Sequence, residues 1–194
     1  MNCVNQSPWV TIVSGLPRSG TSMMMQMLAA GGMSVLVDLV RSADEDNQRG
    51  YFEFEPVKRT RLDPSWLCEA AGKAVKMVYL LLYDLPLDYQ YRVVLMQRPI
   101  ALVLASQHAM LNRRGQPGAT LASDQLADLF LREGRKIEQW LAERPNFQTL
   151  KVDYDLVLSD AARQSTRIND FLGGNLDRLA MTRAVEPALR RQKA

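Results

Sequence analysis

With 194 residues, 47% of them hydrophobic and 23% charged, the chain has the make-up of an ordinary globular protein and the length of one domain, 1–194, with its own core. Its net charge of +3 is compatible with an anionic ligand but too small to predict a nucleic-acid partner. Two cysteines, Cys3 and Cys68, without CxxC spacing exclude a disulfide framework and a structural zinc site, and the absence of a signal-type N-terminus or of any apolar run near roughly 18 residues predicts a cytoplasmic chain with no membrane span.

WVTIVSG (9–15) is β-rich and ends on Gly15, which predicts a buried strand feeding a loop. TSMMMQMLAAGG then carries helix formers up to a glycine cap at Gly31–Gly32, and its methionines read as adaptable core. SVLVD (34–38) predicts a short strand and residues 41–52 a polar, acidic loop. A helix opening at Glu53 is expected through KRTRLDPSWLCEAAG, interrupted near Pro64. KAVKMVYLLL (73–82) and YRVVLMQ (91–97) predict strands covered on both faces.

Residues 98–115 predict a helix with Pro99 in its first turn and Gly115 at its end. A longer amphipathic helix, 123–145, places Leu126, Phe130, Ile137 and Leu141 on one face, with Ser123 as N-cap. FQTLKVDY (147–154) is a further strand; a short helix through ARQSTRINDFLGG and a helical or irregular tail complete the chain. Strands alternating with helices predict an α/β fold with a largely parallel sheet. Trp66 and Trp140 read as packing or wall residues, and His108 as a surface or packing residue.

The chemistry concentrates in VSGLPRSGTS (13–22). Backbone N–H groups turning into a helix N-terminus form a concave anion site. Gly15 and Gly20 permit close approach, while Ser19, Thr21 and Ser22 add hydroxyls. A triphosphatase loop would carry lysine at position 21; here Thr21 stands there and the loop's cation is Arg18. The strand at 91–97 ends in Gln97 and Arg98, with no Walker B acid. A phosphate-like group held without a metal is the expectation.

GLPRSGTSMM resembles the 5′-phosphosulfate loop of sulfotransferases that use 3′-phosphoadenosine 5′-phosphosulfate (PAPS), through Pro17, Arg18, Ser19, Gly20, Thr21 and Ser22. RPIALVLAS resembles that family's second signature, an Arg at a strand end and a Ser eight residues on, here Arg98 and Ser106. Weaker similarity lies in VDYDLVLSD and INDFLGG, and the likeness is greatest to short bacterial members. The resemblance implies a three-layer α/β sandwich with a central parallel sheet, of P-loop nucleotide-hydrolase type. It implies PAPS as co-substrate, 3′-phosphoadenosine 5′-phosphate (PAP) as product, and transfer to a hydroxyl or amine of a small-molecule or glycan acceptor. Gly15 and residues 17–22 would face the 5′ end, and Arg98 with Ser106 the 3′-phosphate. The C-terminal nucleotide-binding segment of larger members has no counterpart, and Arg190 is the tail residue best suited to a phosphate.

Transfer needs charge stabilisation, assigned to Arg18, and a base, since family members use His or carboxylate there. Glu53 is the expected base, with Glu55, Asp44, Glu45 and Asp46 as competitors. A P-loop nucleotide kinase and a catalytically inactive adenine-nucleotide-binding module are the alternative expectations.

Overall fold

The structure is a computed structural model, described over residues 9–38, 50–113, 115 and 122–185. Five parallel strands form one sheet in the order β2-β3-β1-β4-β5: β1 (Trp9–Gly15), β2 (Val35–Leu36), β3 (Ala74–Val78), β4 (Gln90–Gln97) and β5 (Phe147–Asp153). The central strands alternate between two apolar faces. Val10, Ile12, Tyr91, Val93, Leu95, Val75 and Met77 point to one core; Val13, Val94, Met96 and Ala74 point to the other. Burial on both sides explains why these strands read as near-continuous apolar runs.

Seven α-helices accompany the sheet among the described residues. The second core is closed by α1 (Thr21–Ala30), α5 (Tyr154–Ser159), α6 (Ala161–Leu172) and α7 (Arg178–Arg183). Met24, Met25 and Met27 are fully buried there, so the methionine run is core. The first core lies under α2 (Leu67–Ala70), α4 (Ser123–Ala142) and 3-10 turns at Glu55–Arg59 and Tyr79–Asp84. α3 (Ile100–Arg113) packs beside α4. This is the expected three-layer α/β sandwich. Arg92, on β4, lies 5.0 Å from the Trp9 ring and donates to the Leu172 carbonyl at 2.7 Å, so a cation meets the negative end of α6.

Three local expectations are corrected. The helix expected from Glu53 is instead a 3-10 turn, a bend and the four-residue α2. Pro64 has no N–H to donate, and side chains supply the missing bonds: Asp63 accepts from the Ser65 amide at 3.1 Å and Thr60 from the Trp66 indole at 3.0 Å. The strand expected over 73–82 stops at Val78, opposite Gly15, because β1 ends there and offers no further partner. Ser123 is the first helical residue of α4 rather than its cap, which is Ala122 without a side-chain bond. Residues 41–49, with Asp44, Glu45 and Asp46, lie outside the described residues, as do Cys3 and Arg190.

Candidate functional site

All five strands run the same way, so their carboxyl ends form one rim. From β1 the chain passes outward to β2, returns through β3 and crosses to β4, which opens a crevice at the ends of β1 and β4. Gly15 ends β1, Arg98 follows β4 and Tyr154 follows β5, and the loop after Gly15 meets the other two through Arg18 and Gly20.

The loop is a tight turn in which the Ser19 amide donates to the Leu16 carbonyl at 3.1 Å, and Gly20 (φ 101°) leads into α1. Arg18 has φ 69°, a left-handed conformation that an arginine adopts only where its surroundings enforce it. Its carbonyl accepts from Arg98 Nη1 at 3.0 Å, and its own Nε donates to Ser106 Oγ at 3.0 Å. The loop and the second signature, 80 residues apart in sequence, are thus one interlocked cradle. Ser106 is 2% exposed and faces the loop, as the two-turn spacing from Arg98 requires. Arg98 also stacks on the Tyr154 ring at 4.4 Å.

Two polar atoms in the cradle are buried without a protein partner, Ser19 Oγ and Arg98 Nε. Buried donors are normally paired, so a guanidinium N–H and a hydroxyl left over beside an N-terminal loop suit an anion with several acceptor oxygens.

Gly20 is spatially obligatory. A Cβ there would overlap the Tyr154 ring, besides lying in left-handed backbone. Gly20→Ala is expected to destabilise the fold by about 2–4 kcal/mol, from backbone strain plus displacement of the ring that supports Arg98. An unchanged midpoint in urea denaturation would refute that close packing.

On the other flank of α1, Lys76 of β3 reaches the loop. Its ammonium hydrogen-bonds the Tyr51 carbonyl, lies 3.4 Å from Ser22 Oγ and 3.9 Å from Glu53 Oε1. Ser22 Oγ itself donates to the Tyr51 carbonyl at 3.3 Å. The side chains of Lys76 and Glu53 are 14% and 26% exposed, which makes this a half-screened pair at the mouth of the loop. Glu53 precedes the 3-10 turn rather than opening a helix. Glu55, its nearest competitor, is turned to Lys58 at 2.5 Å; this bond foremost, with the nearby carboxylates, raises the Lys58 ammonium above its ordinary value.

The cluster divides by function-bearing side chain. Arg18 is brought to Arg98 and Ser106, whereas the cation next to Ser22 is Lys76, which sequence reasoning did not single out. One signal was available: Lys76 is the lone charge inside the apolar run AVKMV, and a lysine in a strand covered on both faces needs a reason to be there. Tyr154, whose ring lies against Arg98, was likewise not singled out. His108 is exposed on α3, and Trp66 is buried in the core. Among the described residues no three of His, Cys, Asp and Glu gather as a cation site, and no helix is long and apolar enough to cross a membrane.

No protein-family model matches the chain, and no curated protein matches it in sequence. Solved structures do. The sulfotransferase domain of the Synechococcus PCC 7002 olefin synthase aligns over 98% of this chain and 85% of its own, at 18% identity and a TM-score of 0.55. The sulfotransferase domain of the curacin biosynthetic pathway covers 94% and 79% at 14% identity and TM-score 0.55. Retinol dehydratase, in complex with androsterone and the inactive cofactor PAP, covers 93% of this chain and 64% of its own at 19% identity and TM-score 0.53. At these identities the likeness shows the fold: this chain has the architecture of the sulfotransferase domains.

Proposed function

We propose that the protein transfers a sulfuryl group from PAPS to a hydroxyl or amine of a small-molecule or glycan acceptor. The observation that carries this reading is the direct coupling of loop and second signature, Arg98 to the Arg18 carbonyl and Arg18 to Ser106. A site for a simple 5′-phosphate needs only the loop; the added guanidinium and hydroxyl ask for a second phosphate. The retinol dehydratase structure, which contains PAP in the same fold, supports the choice of nucleotide.

PAPS, when bound, supplies an activated sulfuryl group. The residues of this chain do the rest. Gly15 and residues 17–22 would hold the 5′ end through backbone N–H groups and hydroxyls at the start of α1. Arg98 and Ser106 would hold the 3′-phosphate, with Arg18 bridging both sites. Lys76 offsets negative charge at the loop mouth, and Glu53, beside it, accepts the acceptor's proton on its carboxylate.

Thermal unfolding with PAP, compared with ATP–Mg²⁺, tests the reading. PAP at about 100 times its Kd is expected to add about 2.7 kcal/mol of stability. Stabilisation by ATP–Mg²⁺ with none by PAP would replace the reading with a kinase. Stabilisation by PAP with no transfer of radiolabelled sulfate to any of a panel of phenols, alcohols, sugars and amines would leave an inactive nucleotide-binding module.

A further inference from the structure

The two ends of the short segment 53–55 are tied to one residue, Asp38, which follows β2. The Asp38 amide donates to the Glu53 carbonyl at 3.2 Å, and its carboxylate Oδ2 accepts from the Glu55 amide at 2.5 Å. Asp38 therefore grips the backbone on both sides of the residue between them, Phe54, and immediately after the Glu53 side chain. Just before this stretch Phe52 has φ 52°, a conformation a bulky residue holds only when neighbours over-determine it. The other restraints come from the loop side, where Lys76 and Ser22 both bond the Tyr51 carbonyl. Glu53 sits between these two anchor points, 3.9 Å from Lys76. β2 pairs only through Val35 and Leu36, so Asp38 is released from the sheet to make these bonds.

We propose that Asp38 is a positioning residue of the site: by clamping the Glu53 carbonyl and the Glu55 amide, it sets the Glu53 carboxylate against Lys76. This rests on the reading above that Glu53 and Lys76 act as a pair. Both Asp38 bonds fall on the backbone that carries Glu53, which is the route by which it acts. An asparagine keeps the acceptor oxygen that the Glu55 amide needs; an alanine removes it.

The test uses the full chain as wild type, Asp38→Ala, Asp38→Asn, Glu53→Gln and the Asp38→Ala/Glu53→Gln double variant. The first readout needs no acceptor and no turnover: the rate at which a water-soluble N-hydroxysuccinimide ester acylates Lys76, measured by peptide mass spectrometry with Lys73 in the same digest as reference. An ammonium held by a carboxylate, a hydroxyl and a carbonyl acylates slowly, and loosening the carboxylate speeds it. Asp38→Ala is expected to raise the Lys76 rate about threefold to tenfold, Asp38→Asn to stay within about twofold of wild type, and Asp38→Ala to add nothing in the Glu53→Gln background. The second readout is sulfate transfer, in which Asp38→Ala is expected to lower kcat about tenfold with the PAP dissociation constant unchanged. Lys76 acylated at the wild-type rate in Asp38→Ala, or a full additional increase in the double variant, overturns the proposal. Absence of PAP binding to wild type with the labelling pattern intact would defeat the functional reading alone and leave the Asp38 clamp standing.

Discussion

Arg98→Ala is expected to collapse the protein's preference for PAP over adenosine 5′-monophosphate by about 100-fold, equivalent to about 2.7 kcal/mol. The two nucleotides differ only in the 3′-phosphate, so the ratio isolates that contact. The size follows from the surroundings of Arg98. Its Nε is buried without a partner, its face rests on Tyr154 at 4.4 Å, and its Nη1 is spent on the Arg18 carbonyl. Truncating a desolvated, charge-assisted contact of this kind costs roughly 2–5 kcal/mol. Loss of the Arg18 support loosens the loop as well; the part that weakens both nucleotides cancels in the ratio, and the part felt at Ser106, which Arg18 holds, adds to it. Arg98→Lys keeps the charge and loses the planar fork, and should fall between. Isothermal titration of the two nucleotides decides the matter: a preference unchanged from wild type would remove Arg98 from the 3′-phosphate.

Lys76→Met should lower kcat for sulfate transfer by about 10²–10³-fold while changing PAP affinity less than about threefold. Lys76 is mostly buried, hydrogen-bonded to the Tyr51 carbonyl and placed between Ser22 and Glu53, so it borders the loop mouth rather than the Arg98 side. Glu53→Gln removes the proposed proton acceptor and should cost about 10²–10⁴-fold. Because the two side chains face each other at 3.9 Å, the double variant should be little worse than the poorer single one. Rates on the best acceptor of the panel, with PAP binding measured in parallel, check this. Undiminished transfer by Lys76→Met would move the charge stabilisation back to Arg18.

The fold was largely readable from pattern. Apolar runs at 9–15, 91–97 and 147–153, each followed by helix formers, dictate parallel strands covered on both faces, and Gly15 and Gly20 mark the loop between β1 and α1. These are local signals, set by backbone freedom and by the period of burial. The Arg98–Ser106 spacing was equally visible, since two helical turns bring a residue back to the same face. Where propensity misled, at 53–72 and after Val78, the outcome depended on partners elsewhere: proline and side-chain bonds broke the one segment, and the end of β1 stopped the other.

What pattern alone left unassigned was the role of each charge. Arg18 follows the loop's first glycine and reads as the cation for the 5′ end, but its left-handed backbone aims Nε at Ser106. Lys76 is 54 residues from Ser22 and Asp38 is 17 from Glu55, and no periodicity connects such pairs. The sequence determined that there is a sheet, a glycine loop of the spacing proposed to hold phosphate, and an Arg–Ser pair eight residues apart, because each is written in nearby residues. Only the tertiary structure decided which cation stands beside the loop's hydroxyls and what holds Glu53 against it, because those contacts exist only once β1, β2 and β3 lie side by side.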